Sequence, residues 1–147
     1  MSQVQRAAVV AEALSWLRTP YHHNARLKGV GTDCGQFPLA VYEAAGVLPH
    51  VDTGDYSPTW NLHRAEELYL GFVQRLAHPT TRQALGPGDF VVWRVGRTFS
   101  HGAIVIDPPQ VIHAVQIEGA VTLGDMDRDV DLISRKALYF TLWPKER

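Results

Sequence analysis

The sequence predicts an α+β fold in which N-terminal helices pack on a central antiparallel sheet. Apolar residues recur at helical spacing in the first half of the chain, whereas short apolar runs separated by turn-forming residues follow residue 86. The chain has 147 residues, a length that suits one domain with a sizeable core. Because the sequence shows no repeat and no internal linker, we expect a single domain spanning residues 1–147.

The first two helices are predicted from apolar spacing and from residues that end helices. The first has apolar residues at positions i, i+3, i+4 and i+7, namely Val10, Ala13, Leu14 and Leu17. We expect that face to lie in the core and the helix to end before Thr19-Pro20, with a loop over residues 19–33. The second helix is expected from near Cys34 to Gly46, because Pro38 is tolerated only within a first turn.

A third helix is predicted from apolar residues at helical spacing between Leu62 and Leu76, and His78-Pro79 ends it. Residues 50–61, which precede this helix, lack periodicity and are rich in turn formers. We expect them to form a surface loop with exposed aromatic side chains.

The second half of the chain predicts consecutive antiparallel strands. They are expected at residues 90–93, 101–106, 111–115, 120–123 and 137–143. The acidic stretch 125–131 lacks the glycine and the glutamate of a calcium-binding loop. We expect it to be a solvated turn or a short helix.

Composition and charge exclude several classes of protein. The formal net charge is −1 with both signs scattered, so neither nucleic acid nor a membrane surface is an expected partner. No apolar run reaches the ~20 residues that span a bilayer, and residues 1–6 do not resemble a secretory signal. We therefore expect the protein to be cytoplasmic when synthesised. A single cysteine forms no internal disulfide, so packing alone must hold the fold.

Cys34 is the candidate nucleophile. It follows Gly31-Thr32-Asp33 at the predicted start of the second helix, and the positive end of a helix dipole lowers the pKa of a thiol from its usual value of about 8.5. A cysteine nucleophile also needs a base and a third polar group that fixes the tautomer of the base. Without these partners, a lone buried cysteine behaves mostly as a small inert hydrophobe.

His101 and His113 are the candidate base and its orienting partner. Of the seven histidines, only these two lie on predicted strands. With a turn at Asp107-Pro108-Pro109, both lie six residues from Asp107, so the hairpin places them opposite one another on one sheet face. A thiol at a helix start combined with a pair of histidines favours cysteine chemistry over a structural role for each residue alone.

Five short segments resemble, in order and spacing, the NlpC-type cell-wall cysteine peptidases. These segments are Thr19-Pro20-Tyr21, Gly31-Thr32-Asp33-Cys34, Pro87-Gly88-Asp89-Phe90-Val91, Ser100-His101-Gly102-Ala103-Ile104-Val105 and Val111-Ile112-His113-Ala114. The resemblance covers roughly residues 7–140. It is closest to the small single-domain branch found in tailed phages, prophages and gene-transfer particles.

This resemblance implies a papain-like α+β fold with Cys34 as nucleophile, His101 as base and His113 as the orienting third group. It implies that the hydroxyl of Tyr21 lies near the developing oxyanion, beside the backbone N–H of Cys34. The implied substrate is the peptide stem of peptidoglycan, typically cut at the γ-D-glutamyl to diamino-acid bond. Phage tail proteins are the implied partners, which would bring the protein to the cell wall as part of a virion.

Three further residues are candidate substrate contacts. Asp33 either binds a substrate amine beside the thiol or favours the helix dipole. His23 either orients the substrate together with His22 or belongs to an exposed polar loop. Trp60 is the third, in the loop over residues 50–61 that resembles the phage branch and shapes a substrate groove.

The sequence departs from the family immediately after the cysteine, where Gly35-Gln36 stands in place of the usual Ser-Gly. This departure motivates an alternative, a non-catalytic tail-assembly or cell-wall binding protein that retains the fold. Acyl transfer instead of hydrolysis uses the same machinery and stays open. No cofactor is expected, and a zinc site is disfavoured because the sequence has no C-x-x-C or H-x-x-x-H pair.

Overall fold

The computed structural model describes residues 2–56 and 68–144. In these residues, helices pack on a six-stranded antiparallel sheet, which confirms the predicted α+β class. Trp60 and the predicted start of the third helix at Leu62 lie outside the described residues. No helix in the described part of the chain is both long and apolar enough to cross a bilayer.

The helices follow the predicted order. They are α1 (Ser2–Leu14), α2 (Gln36–Ala44), α3 (Leu68–Leu76) and α4 (Val130–Ile133). Helix α2 ends just before Gly46, whose φ of 76° favours glycine. Pro38 lies in its first turn, where a missing N–H costs no intrahelical hydrogen bond. Both ends of this helix are therefore confirmed.

Two β-sheets are described. A small one pairs β1 (Arg26–Leu27) with β2 (Gly31–Thr32). The strands of the large sheet are β3 (His78–Thr80), β4 (Phe90–Val95), β5 (Thr98–Asp107), β6 (Gln110–Val115), β7 (Ala120–Asp125) and β8 (Ala137–Thr141). Their order across the sheet is β3-β8-β4-β5-β6-β7, with every neighbouring pair antiparallel. The predicted meander β4 to β7 is thus confirmed, and β8 pairs beside β4.

The large sheet buries side chains on both faces. On one face, sheet residues such as Val92 and Ile104 pack against α1, α2 and α3 in a single apolar cluster. On the other face, Val91 and Val105 form a second cluster with Leu132 of α4. Alternating side chains of β4 and β5 therefore supply both clusters, which explains the apolar runs 90–93 and 103–106 in these strands.

The buried face of α1 differs from the predicted one. Val9 and Ala13 are fully buried and Trp16 is 4% exposed, whereas Leu14 and Leu17 are each 37% exposed. The ring of Trp16 makes an edge contact with a phenylalanine of α2, with ring centroids 5.8 Å apart. Burial of this large aromatic ring sets the rotation of the helix, and the aliphatic spacing did not reveal it.

Three short strands, β1, β2 and β3, were missed by the sequence prediction. The region 19–33 holds the β1–β2 hairpin, and β3, which follows α3, pairs with the predicted strand β8. These strands have two or three residues. An alternation of period two cannot be recognised over so few positions.

The predicted register of the β5–β6 hairpin is wrong by two residues. Val105 pairs with Val111, so the turn is centred beyond Asp107 and His101 does not directly oppose His113. A shift of two residues leaves the direction of every side chain unchanged, because the side-chain period of a strand is two. The predicted sharing of one face by the two histidines therefore holds.

Gly102 is expected to be the glycine of β5 that tolerates no side chain. A Cβ added there would overlap the ring of Phe90 and the hydroxyl of Tyr69. We expect Gly102→Ala to lower the free energy of unfolding by about 1–3 kcal/mol, the usual cost of overpacking. Denaturant unfolding monitored by circular dichroism measures this loss.

Gly71→Ala is the matched control, because a Cβ at Gly71 meets only the end of the Arg75 side chain, at 3.7 Å. There the helix propensity of alanine is expected to raise stability by about 0.5–1 kcal/mol. Equal stability of the two variants would contradict the packing described for β5.

Candidate active site

Asp33 positions Cys34 by capping helix α2. Its Oδ1 accepts hydrogen bonds from the backbone N–H groups of Gly35 (3.0 Å) and Gln36 (2.8 Å). The first N–H groups of a helix have no partner inside the helix, so a carboxylate there stabilises the helix start. The cap fixes the backbone on both sides of Cys34 and places this residue at the helix N-terminus.

Three side-chain and backbone groups contact Cys34. Its thiol points to the carbonyl oxygen of Ser100 at 3.6 Å, and the hydroxyl of Tyr21 lies 3.9 Å from Sγ. The hydroxyl of Tyr69 donates a hydrogen bond to the carbonyl oxygen of Cys34 at 2.8 Å. Ser100 directly precedes His101 on β5, so the first contact brings the thiol to the strand of the candidate base.

His101 and His113 form a hydrogen-bonded pair. Nε2 of His101 lies 2.8 Å from Nδ1 of His113, with ring centroids 5.0 Å apart. The ring of Trp93 lies on the other side of His101, with a centroid separation of 6.0 Å. One N–H joins the two imidazoles, so each ring fixes the proton position of the other.

A cleft of about 700 Å³ brings the predicted residues Cys34, His101 and His113 together, and Tyr21 also lines it. Around them the cleft wall carries both signs of charge. Its charged side chains are Glu118, Asp129, Asp131 and Arg135. The cleft therefore combines a thiol, two imidazoles and charged side chains in one surface depression.

Two other predicted residues, Asp33 and His23, lie beside the cleft and not in its wall. Asp33 is 2% exposed, and its Oδ2 accepts hydrogen bonds from the backbone N–H of Asn24 and the hydroxyl of Tyr56. His23 lies between the same groups: Nδ1 is 3.9 Å from the Asp33 carboxylate and Nε2 contacts the carbonyl oxygen of Tyr56. Both side chains therefore connect Tyr56 to the region around the start of α2.

Gln36 is a residue that the sequence reasoning left unexplained. Its side chain is 4% exposed. Its Nε2 donates to Asn24 (3.0 Å) and Thr53 (2.8 Å), and its Oε1 accepts from Nε of Arg26 (2.7 Å). A buried side-chain amide with three hydrogen bonds holds two loops against the helix start. The departure Gly35-Gln36 from the family pattern is thus part of a local network.

Burial, followed by the negative charge of Asp33, raises the pKa of the Cys34 thiol to about 12. The hydrogen bond from Tyr21 acts in the opposite direction and is the smaller effect. The pKa therefore moves opposite to the direction predicted from the helix N-terminus alone. In the free protein the thiol keeps its proton at neutral pH.

Burial also lowers the pKa of both histidines. The pKa of His101 falls to about 3, with the positive charges of His113 and Arg135 as smaller causes. The pKa of His113 falls to about 4, because burial outweighs the opposing effect of Asp129. Both rings are therefore neutral above pH 5, and His101 is available to accept a proton.

Among residues 2–56 and 68–144, no group of three His, Cys, Asp or Glu side chains has the arrangement of a metal site.

The hydroxyl of Tyr21 stays protonated, since burial and then the neighbouring thiol raise its pKa. This hydroxyl is a hydrogen-bond donor beside the sulfur.

Solved structures share this fold over most of the chain. The NlpC/p60 domain of the peptidoglycan hydrolase SagA superposes with a TM-score of 0.64 at 23% identity, covering 92% of this chain and 97% of that one. RipD from Mycobacterium tuberculosis, a non-catalytic NlpC/p60 domain protein adapted to peptidoglycan binding, gives a TM-score of 0.61 at 14% identity, with 93% and 96% covered. A lipoprotein-like NLP/P60 family protein from Staphylococcus aureus gives 0.66 at 19% identity, but its match covers 94% of this chain and 41% of that one.

Comparison with curated proteins gives no match. A model of the family described as NlpC/P60 matches residues 18–132, a stretch that begins just before Tyr21 and includes Cys34, His101 and His113. This stretch is most of the chain, and the solved structures carry the same fold. The chain belongs to the NlpC/P60 family.

Proposed function

We propose that this protein is a cysteine peptidase that hydrolyses the peptide stem of peptidoglycan, with Cys34 as nucleophile and His101 as base. The observation that carries the proposal is the shared cleft, which is lined by both the thiol at the start of α2 and the His101–His113 pair. The name of the solved SagA domain, a peptidoglycan hydrolase, supports the choice of substrate.

The neutral state of the pair defines the first step. His101 accepts the thiol proton as the sulfur attacks the peptide carbonyl carbon, so the proton moves during attack and not before it. The resulting oxyanion accepts hydrogen bonds from the backbone N–H of Cys34 and from the hydroxyl of Tyr21. The protonated His101 is stabilised by Nδ1 of His113, which accepts its Nε2–H.

The remaining steps return the enzyme to its starting state. The imidazolium of His101 donates its proton to the leaving amine, the C–N bond breaks and a thioester to Cys34 remains. His101 then takes a proton from water, and the hydroxide adds to the thioester. The C–S bond breaks, the acid product leaves, and the proton returns to sulfur.

Within the peptide stem we propose the γ-D-glutamyl to diamino-acid bond as the target. A stem peptide carries free carboxylates and a free amine close to this bond. The charged side chains Glu118, Asp131 and Arg135 of the cleft wall offer partners of both signs for such groups. This choice rests on the family resemblance together with the charge of the cleft.

A non-catalytic role in cell-wall binding is the second candidate. The raised pKa of Cys34 favours it, because a thiol that keeps its proton is a poor nucleophile. RipD, which shares the fold, is non-catalytic. Turnover of substrate separates the two candidates directly.

Association with a phage tail is a further part of the proposal, supported by the resemblance of the ordered sequence motifs to the phage branch. In that case the protein acts on the cell wall after delivery by the particle. Detection of the protein in purified particles, and its absence from particles lacking the tail tip, is the outcome that agrees with this association.

Replacement of the nucleophile is expected to abolish hydrolysis. Cys34→Ala should reduce release of products from defined muropeptides by at least about 10³-fold, because the proposed thioester forms on its sulfur. Chromatography with mass spectrometry identifies the products and therefore the bond cleaved.

Ser134→Ala is a suitable control, since Ser134 is exposed and bonds only within its own helix turn. This variant should retain full activity. Equal turnover by wild type and Cys34→Ala would overturn the peptidase proposal, and tight muropeptide binding without turnover by wild type would establish the second candidate.

The raised pKa of Cys34 predicts slow alkylation of the free protein. At pH 7 a thiol with a pKa near 12 is roughly 10³-fold less ionised than an ordinary cysteine. The rate of reaction with iodoacetamide should therefore rise about tenfold per pH unit from pH 7 to pH 10. Mass spectrometry of the intact protein follows the modification.

Asp33→Asn should speed this alkylation, because it removes a negative charge beside the sulfur while asparagine keeps the helix cap. Asp52→Asn removes the same charge from an exposed position that does not affect the pKa of Cys34 and should leave the rate unchanged. A fast reaction of the wild-type thiol at pH 6 would contradict the raised pKa.

A further inference from the structure

We propose that Asp129 is a positioning residue for the His101–His113 pair, acting through His113. The role rests on the proposed peptidase function, which gives the histidine pair its task. Asp129 would select the tautomer of His113 that accepts the hydrogen bond from His101. The tautomer of His113 would in turn fix the position of the proton on His101, although Asp129 does not touch the reacting atoms.

The carboxylate of Asp129 faces His113 across a glycine. A Cβ added to Gly124 would lie 2.8 Å from Nε2 of His113 and 3.1 Å from Oδ2 of Asp129. The two groups therefore border the same small space on β7, and only the absence of a side chain at Gly124 keeps that space open. Asp129 and His113 also line the same cleft.

Asp129 is held in place by the backbone. Its Oδ2 accepts a hydrogen bond from the N–H of Asp125 at 2.9 Å, and the residue directly precedes α4. The side chain is partly buried. A carboxylate fixed by a turn and a helix start has little conformational freedom to lose when it interacts with the imidazole.

The hydrogen bond between the histidines makes the tautomer of His113 important. For His101 to take a proton from Cys34 on Nδ1, its other nitrogen, Nε2, must carry the N–H that points at Nδ1 of His113. Nδ1 of His113 must then be the acceptor, which places the proton of His113 on Nε2. A negative charge on the Nε2 side stabilises that tautomer.

The same charge supports the positive state of the pair. The negative charge of Asp129 raises the pKa of His113 against the larger lowering by burial. The other ionisable groups that line the cleft with the pair are Cys34, Tyr21, Glu118, Asp131 and Arg135. Of these, only Asp129 both shifts the pKa of His113 and faces its Nε2 side across Gly124.

Two aspartates of the acidic stretch 125–131, Asp127 and Asp129, have different surroundings. The sequence prediction of a solvated acidic turn holds for Asp127, which is exposed and pairs with Arg82 at 3.1 Å. Asp129, two residues later, turns towards the cleft. The two aspartates give a matched comparison within one turn.

The first test compares Asp129→Asn with Asp127→Asn in muropeptide hydrolysis. Asparagine keeps an oxygen that accepts from the N–H of Asp125, so the turn is expected to fold. Asp129→Asn should lower kcat about tenfold with KM unchanged. A tenfold loss corresponds to a fall of one unit in the pKa of the histidine pair. The acid limb of the kcat/KM profile should move to lower pH, because the histidine pair becomes harder to protonate.

Asp127→Asn should match wild type in kcat, KM and pH profile. A fall in kcat that is equal in the two variants would overturn the proposal, since the effect would then belong to the turn as a whole. An unchanged pH profile of Asp129→Asn would overturn it as well.

The second test does not need activity. Nitrogen-15 NMR of the histidine side chains distinguishes N–H on Nε2 from N–H on Nδ1. Wild type and Asp127→Asn should show His113 protonated on Nε2, whereas Asp129→Asn should show a new population protonated on Nδ1. If the tautomer of His113 is the same in all three proteins, the proposal fails, whatever the outcome for hydrolysis. If wild type is inactive but the tautomer shifts, only the proposed function fails.

Discussion

The carboxylate of Asp33 is the group on which the rest of this site depends. It is 2% exposed and accepts hydrogen bonds from the N–H groups of Gly35 and Gln36, from the loop at Asn24 and from Tyr56. One buried charge therefore joins a helix start, the preceding loop and a distant segment. A buried charge with this many donors is well compensated, and removing any partner leaves part of it unsatisfied.

The same carboxylate that positions Cys34 also disfavours ionisation of its thiol. Asp33 holds the backbone of Cys34 at the helix N-terminus, yet its negative charge raises the pKa of the adjacent thiol. Position and activation are therefore supplied by different elements. Helix α2 fixes the place of the sulfur, and in the proposed mechanism the histidine pair on β5 and β6 is the proton acceptor. Such a division suits the proposed peptidase, in which the thiol keeps its proton until a substrate carbonyl is in reach.

The sequence predicted most of the elements, and it predicted that Cys34, His101 and His113 lie together, because both have local signals. The spacing around Pro38 located the start of α2, and strand parity placed His101 and His113 on one face even though the register was off by two residues. Asp129 could not be found in this way. Its relation to His113 depends on the path of a turn, and its neighbours in sequence show only an acidic run.

Two glycines, Gly102 and Gly124, leave room for side chains of the site on opposite faces of the sheet. Without a side chain at Gly102, Tyr69 can approach β5 on the helix face, and its hydroxyl reaches the carbonyl oxygen of Cys34. Without a side chain at Gly124, the ring of His113 can approach β7 on the other face, near Asp129. The strand β5 separates these two faces and carries both Ser100, at the thiol, and His101. The thiol of Cys34 is thus positioned from the helix face of the sheet and the histidine pair from the other face, and both line the same cleft.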